Sequence, residues 1–314
     1  KKLSKSKAVN SIVILDQLNY AGNLANLEGI DNKKLSFVVG DVANGQLMDS
    51  LVQDIDIVYH LAAETHVTRS IFDNYQFFHS DVMGTQSVAN AILKQTTKRK
   101  KDIPLIHLST SEVYGTAQTD KMDEEHPLNP LSPYAAAKVG ADRLVFSYAK
   151  TYGINSLIIR PFNQYGPHQH PEKLIPRFIT SGILKEKFPI HGNGLSSRDW
   201  TNVHDTVNFL ESLLWQDISS YKGEVFNIGN DESISINEIG ELINVYFPDS
   251  KLEYIDNRPG QVDRHKCDSS KAIDLLGWEP KLKLDKSIKD IIEWYKNSRR
   301  LWENQLMIKD IEIE

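Results

Sequence analysis

Ser109-Thr110-Ser111-Glu112-Val113-Tyr114-Gly115, followed by Tyr134-Ala135-Ala136-Ala137-Lys138, is the stretch on which the fold turns. Just ahead of it, Ile103–Leu108 is a short apolar run with the length and composition of a buried strand. Thr110, Ser111 and Glu112 therefore stand at a strand's C-terminal end, where open α/β sheets keep their chemistry. Ser132–Tyr152 reads as a helix with Pro133 in its first turn. A Tyr four residues before a Lys on that helix shares a face with it, about one turn away. The Lys138 ammonium is then expected to favour the Tyr134 phenolate and lower its pKa toward working pH. That makes Tyr134 a base for a sugar or alcohol hydroxyl during hydride transfer. The Tyr-to-Lys spacing alone recurs by chance; its place after a strand ending in Ser-Thr makes it specific.

Outward from this centre the chain alternates. Ser11–Leu15 ends at Asp16, Leu35–Val39 at Gly40-Asp41, and Ile55–Leu61 at Ala62-Ala63; each reads as a strand. Val82–Lys94 has the apolar spacing of a helix (Val82, Val88, Ala89, Ile92, Leu93), and Ser156–Ile159 is a fifth strand. Strands alternating with helices imply an α/β fold with a doubly wound parallel sheet. After Arg160, loops, Pro and Gly become commoner and helices shorter. Lys173–Leu184 and Ile236–Tyr246 read as helices there, and Val225–Ile228 and Lys251–Ile255 as strands. The expected organisation is a Rossmann-type dinucleotide-binding domain over 1–160, with 199–231 returning to it. A smaller mixed α/β substrate-binding domain takes 161–198 and 232–314.

Composition narrows the function classes. With 314 residues the chain makes one large domain or two joined ones. Its net charge of −6 gives no reason to expect nucleic-acid binding, and Lys98-Arg99-Lys100-Lys101 reads as a solvated loop. The single cysteine, Cys267, excludes an intramolecular disulfide, suits a reducing compartment and leaves no cysteine cluster for zinc. His168 and His170 flank Gln169 in a Pro-rich loop with poor ligand spacing, so no metal is expected. No run reaches the ~18 apolar residues of a membrane helix, and Lys1–Lys7 lacks the apolar centre of a signal peptide. The expected location is the cytoplasm.

The motifs resemble those of the extended short-chain dehydrogenases/reductases, and within them the nucleotide-sugar 4,6-dehydratases, most of all the dTDP-glucose 4,6-dehydratase group. Matching segments include Asp16-Gln17-Leu18-Asn19-Tyr20-Ala21-Gly22-Asn23-Leu24, Gly40-Asp41-Val42 and His60-Leu61-Ala62-Ala63-Glu64-Thr65-His66. Others are Arg160-Pro161-Phe162-Asn163-Gln164-Tyr165-Gly166-Pro167, Pro171-Glu172-Lys173-Leu174-Ile175-Pro176, Arg198-Asp199-Trp200 and Leu276-Gly277-Trp278-Glu279-Pro280. The similarity runs from about residue 8 to about residue 296. That family opens with a strand and a Gly-x-x-Gly-x-x-Gly turn against which the pyrophosphate lies, and this sequence has no such motif. A sheet lacking that central strand leaves its neighbours without hydrogen-bonded edges. The natural chain is therefore expected to be longer by about 20–30 residues, roughly one βα unit.

The resemblance implies NAD as cofactor and a nucleotide-diphosphate sugar as substrate. Asp16, at its strand end, fits a carboxylate that accepts from the adenosine ribose hydroxyls and repels a 2′-phosphate. Asn19, Asp41, Val42, Leu61, Ala62, Ala63, Thr65 and Ser109 complete the cofactor positions, and Tyr134 and Lys138 reach the nicotinamide ribose. Thr110 is implied to bond the sugar 4-oxygen and Glu112 to take the C5 proton. Ser111 departs from the dTDP-glucose group, where Asp is usual. Thr-Ser-Glu instead resembles the GDP-mannose dehydratases, in which Glu serves as base and acid, and the UDP-glucuronate decarboxylases. Asn163, Lys173, Arg198 and Arg264 occupy the diphosphate positions. His66 is either near the hexose or structural, and His191 replaces a Tyr that often stacks on the base. A UDP-glucuronate decarboxylase or a 4-epimerase is the enzyme alternative, and an NAD-binding regulatory protein the non-enzyme one. The family also implies a homodimer joined by the helices flanking the active-site strand, through Val88, Ala89, Ala135, Ala136 and Val139.

Overall fold

The computed structural model describes residues 1–31 and 33–308. In chain order the first elements are α1 (Lys2–Lys5), β1 (Ile12–Asp16), β2 (Leu35–Val39), α2 (Gly45–Leu51), β3 (Val58–His60), α3 (Val67–Phe72) and α4 (Tyr75–Phe77). A π-helical turn, Phe78–Met83, runs into α5 (Gly84–Arg99), followed by β4 (Leu105–Leu108), α6 (Pro133–Tyr152), β5 (Ser156–Pro161) and β6 (Asn163–Tyr165). Next come α7 (Leu174–Leu184), β7 (Phe188–His191), β8 (Ser197–Arg198), β9 (Trp200–Asn202), α8 (Val203–Ser212) and β10 (Glu224–Ile228). The last are β11 (Ile234–Ser235), α9 (Ile236–Asn244), β12 (Leu252–Ile255), α10 (Ser270–Leu276) and α11 (Leu284–Asn297).

The chain divides into two compact units. The first holds Lys1–Val113, Ser132–Arg160 and Val207–Phe226; the second holds Tyr114–Leu131, Pro161–Thr206 and Asn227–Glu314. Residues 309–314, placed with the substrate half on sequence, lie outside the described residues. The segment that returns to the first unit is thus 207–226 rather than 199–231. Strand pairing explains the shift, since β8 pairs with β11 and β9 with β6.

In the first unit, β3, β4 and β5 are parallel neighbours and the sheet order is β10-β5-β4-β3. Leu105, Ile106 and His107 of β4 are all buried, as expected of a strand covered on both faces. β1 and β2 pair in parallel as a separate two-stranded sheet, so β1 and β3 are not partners of each other. Leu15 of β1 still packs on the cluster formed by Met48, Val52, Val88, Ile92, Leu105, Val145 and Ile158. The helix expected to begin at Val82 starts earlier, as the π-turn from Phe78.

Helix α6 carries the Tyr and Lys of the central motif. Ser132 caps it, its hydroxyl accepting the Ala135 N–H at 3.2 Å, and Pro133 fills the first turn. It stops at Gly153, whose φ of 72° suits a residue without a Cβ. Small residues (Ala135, Ala137, Ala141) let it lie close to its neighbours; a Cβ on Gly140 would stand 3.1 Å from Val82 of the π-turn. Asp142 then anchors α6 to β5. The Arg160 guanidinium donates from Nε to Asp142 Oδ2 at 2.9 Å and from Nη2 to Oδ1 at 3.0 Å, with both residues fully buried.

The second unit has its own core, with Ile175, Phe178, Phe188, Ile190, Trp200, Ile239, Ile243, Ile288 and Tyr295. Phe178 and Phe188 stack with centroids 5.2 Å apart. A capping box opens α9: Glu238 N–H donates to Ser235 Oγ at 3.2 Å, and Ser235 N–H to Glu238 Oε2 at 2.8 Å. Asp199 is buried and accepts the N–H groups of Asn230, Glu232 and Cys267 at 2.7, 3.2 and 3.2 Å. Burial pushes its carboxyl up to about 6 against those bonds.

The α6 anchor yields a stability prediction. Arg160 holds the Asp142 carboxyl down to about 2 although burial opposes it. Because this pKa is depressed, the pair's stabilisation is present above about pH 4 and is lost as pH falls through about 2. Arg160→Met leaves the buried carboxylate with Arg143 alone and should cost about 3 kcal/mol at neutral pH, measured by urea unfolding. The double variant Asp142→Leu/Arg160→Met should recover much of that loss. A single-variant cost under about 1 kcal/mol would show that α6 does not depend on the pair.

Candidate active site

Polypeptide geometry brings the central motif together within the first unit. β4 ends at Leu108, and Ser111–Tyr114 forms a tight 3₁₀ turn that offers Thr110, Ser111 and Glu112 beside the sheet's C-terminal end. Thr110 Oγ1 accepts the Glu112 N–H at 3.2 Å, which fixes the turn. Ser111 is buried, whereas Glu112 is half-buried. On α6, Tyr134 is packed edge-on against Phe77, centroids 6.2 Å apart, and its hydroxyl is bonded with Thr110. Lys138 is buried one turn later and donates from Nζ to the Leu108 carbonyl at 2.8 Å.

The electrostatics differ from the expectation that Lys138 lowers the Tyr134 pKa. Burial pushes the Tyr134 hydroxyl well up, the Asp81 and Glu112 carboxylates push it further, and only the Thr110 bond opposes them. Lys138 is itself lowered by burial, with Asp81 and Asp142 acting against that. Desolvation therefore outweighs the favourable charge. Burial keeps the proton on Tyr134 in this state, and the group is not a standing phenolate.

Around the pair lie buried groups that sequence reading passed over. His60 and His107 face each other on β3 and β4, ring centroids 5.3 Å apart. His60 Nε2 lies 2.9 Å from Thr85 Oγ1, while neither ring nitrogen of His107 has a hydrogen-bond partner. Burial lowers both, His60 to about 3, so both rings are neutral. Asp81, on the π-turn, accepts the Glu64 N–H at 2.8 Å. The available signal was weak: an acid between the apolar pairs Phe77-Phe78 and Val82-Met83, in Phe77-Phe78-His79-Ser80-Asp81-Val82-Met83.

The residues expected to hold NAD lie at the ends of β1, β2 and β3. Asp16 is exposed, and its Oδ1 accepts the Leu18 N–H at 2.7 Å. Asp41 is engaged at both oxygens, with the Ala43 N–H at 2.8 Å and His79 Nε2 at 2.9 Å, and these bonds lower its pKa against burial. Val42 is partly buried beside it. Leu61, Ala62 and Thr65 are exposed, Ala63 is half-buried and Ser109 is buried. Asn19 donates to Glu64 Oε1 at 2.5 Å, tying the loop after β1 to the loop after β3. An exposed acid beside small exposed side chains fits the adenosine end of a dinucleotide. His66 caps α3, its Nδ1 accepting the Arg69 N–H at 3.2 Å, which gives it a structural task.

The diphosphate candidates all belong to the second unit. Arg198 on β8 and Arg264 sit on neighbouring chain segments, joined by the Ser197–Arg264 bridge. Arg264 donates from Nη1 to the Asp120 carbonyl at 2.8 Å, and Arg198 from Nη1 to the Ser197 carbonyl at 3.0 Å. Asn163 opens β6, and Lys173 precedes α7 with its ammonium 3.8 Å from Glu172. His191, at the end of β7, is bonded through Nδ1 with the Asp256 carbonyl at 2.9 Å. Among the described residues no group of three His, Cys, Asp or Glu is placed to hold a metal ion.

A family model described as GDP-mannose 4,6 dehydratase matches residues 2–291. The chain belongs to that family. It is 39% identical to a low-salt glycan biosynthesis protein of Haloferax volcanii, over 91% of this chain and 90% of that one. It is 36% identical to a dTDP-glucose 4,6-dehydratase of Streptomyces antibioticus, over 93% and 85%. The crystal structure of dTDP-glucose 4,6-dehydratase from Streptomyces venezuelae, with NAD bound, superposes with a TM-score of 0.89 at 32% identity, covering 95% and 91% of the two chains. The family and its Rossmann fold agree with what the motifs imply.

Proposed function

We propose that this protein is an NAD-dependent nucleotide-sugar 4,6-dehydratase, converting a nucleotide-diphosphate hexose to its 4-keto-6-deoxy form. The observation that carries the reading is the Thr110–Tyr134 contact beside the buried Lys138 and the half-buried Glu112. NAD⁺, when bound, supplies a hydride acceptor for C4 and afterwards a donor for C6. Tyr134 first gives its proton up to solvent, the Lys138 charge favouring the phenolate; the phenolate then takes the 4-hydroxyl proton while Thr110 holds the 4-oxygen. With C4 a ketone, the C5 proton is acidic, and Glu112 removes it. Glu112, now neutral, returns that proton to the departing 6-hydroxyl. Ser111 is a far weaker acid than the Asp usual in the dTDP-glucose group, so one carboxyl serves both transfers.

Asp16 holds the adenosine ribose and selects NAD over NADP; its free Oδ2 at the end of β1 supports this. Asn163, Lys173, Arg198 and Arg264 hold the diphosphate, and a nucleotide sugar is the only partner required. No helix of the described residues is long and apolar enough to cross a membrane, and the buried, unpaired Cys267 suits a reducing cytoplasm. The protein is also proposed to be a homodimer. Val88, Ala89 and Ala135 are buried within their own unit, whereas Ala136 and Val139 are half-buried, so the contact is proposed on those two together with the exposed Tyr75, Phe78 and Met83 around the π-turn.

Incubating the protein with dTDP-, UDP- and GDP-hexoses and with UDP-glucuronate, and reading product masses, tests the function. Loss of water supports it; loss of carbon dioxide marks a decarboxylase, and unchanged mass with inverted configuration an epimerase. In that assay Glu112→Gln should lose ~10²–10⁴-fold in turnover while enzyme-bound NADH still forms. Ser111→Ala should cost far less; equal losses would rule out the single-carboxyl route. Asp16→Ala should weaken NAD and relax discrimination against NADP, and equal affinity of the unaltered protein for both would remove that role. Light scattering at micromolar concentration should give twice the chain mass, and a monomer would exclude the dimer.

A further inference from the structure

Asp81 lies at the same centre and has no part in that chemistry. Its side chain is 1% exposed. Oδ1 accepts the Glu64 N–H at 2.8 Å, but Oδ2, also shut from water, has no hydrogen-bond partner among the described residues. A buried polar atom left unsatisfied is costly and calls for a reason. The element that carries it is unusual as well: the π-turn packs on α6, and such turns gather at functional sites.

The charges around Asp81 point one way. After burial, Lys138 is the leading influence on its carboxyl. Asp81 is in turn the leading carboxylate acting on Lys138, ahead of Asp142, and Asp142 is already committed to Arg160 and Arg143. Asp81 is also the leading charge acting on Tyr134. Other ionisable groups nearby are occupied. On the π-turn, His79 pairs with Asp41 and stacks on Tyr75 of α4; on α5, Lys94 pairs with Asp49. Glu64 receives Asn19, His60 contacts Thr85, and His107 is neutral. Glu112 acts on Tyr134 more weakly than Asp81 does. One carboxyl therefore bears on both members of the pair: ionised, it holds the proton on Tyr134 and on Lys138, and neutral, it releases both.

We propose that Asp81 is a positioning residue for the Tyr134–Lys138 pair, its charge setting the pH range in which the pair works. This rests on Tyr134 being the base of the proposed dehydration. The test uses the whole chain carrying Asp81→Asn, which keeps an oxygen for the Glu64 N–H and removes the charge. Both limbs of the pH profile of kcat/KM should move to lower pH by about one unit. A second readout needs no turnover. The Asp81 carboxyl is raised to about 7 by burial. A carboxyl raised in the folded state lowers stability progressively as pH climbs from about 4 through that value. The melting temperature of Asp81→Asn should therefore gain on the unaltered protein steadily from pH 5 to pH 8. A superimposable pH profile, or a melting difference constant with pH, overturns the proposal. If Asp81→Asn does not fold, Asp81→Ser is read by the same two measures. Absence of turnover on every nucleotide sugar defeats the dehydratase reading alone, and the melting comparison still decides whether Asp81 carries the coupled charge.

Discussion

The buried pair between Asp142 and Arg160 is the constraint on which the central chemistry depends. It joins α6 to β5 where neither partner meets water, and Arg143 adds a second guanidinium to the same carboxylate. Tyr134, Lys138 and Asp142 recur every four residues along one helix face. Fixing the last of the three against the sheet fixes the rotation of α6, and hence where the first two point. A purely apolar contact would tolerate a slide along the helix axis. A two-pronged guanidinium–carboxylate fork does not.

That rigidity is used to hold charge where it is expensive. Lys138, Tyr134 and Asp81 are all withdrawn from solvent, and for each of them desolvation is the largest single influence. In such surroundings a neighbouring charge matters more than it would in water. Placing the base and its cation in the interior lets a small change in local charge move a proton. The neutral His60 and His107 beneath them add polar bulk without adding charge.

The sequence made the first unit's architecture legible because its signals are local. Apolar runs closed by Asp16, Gly40 or Ala62 mark parallel strands, and Ser132-Pro133 marks a helix start; each appears within two residues of its reading except β3, which starts three residues late at Val58. What escaped depends on three-dimensional context. The π-turn carries no composition of its own, so Asp81 looked like one more helix residue. The Tyr134 shift was misjudged because spacing reveals Lys138 but not how thoroughly both groups are buried. His66 read equally as ligand or scaffold, and nothing in its spacing signalled that its ring caps α3. The unit boundaries near 199 and 231 moved because two- and three-residue strands such as β8 and β9 are too short to leave a pattern.

The tie from Asn19 to Glu64 has a further consequence. Glu64 in turn gives its N–H to Asp81, so the loop after β1, the loop after β3 and the π-turn form one hydrogen-bonded relay. A displacement of the Asn19 loop is therefore passed, through a single residue, to the carboxyl that is shut from water on the π-turn.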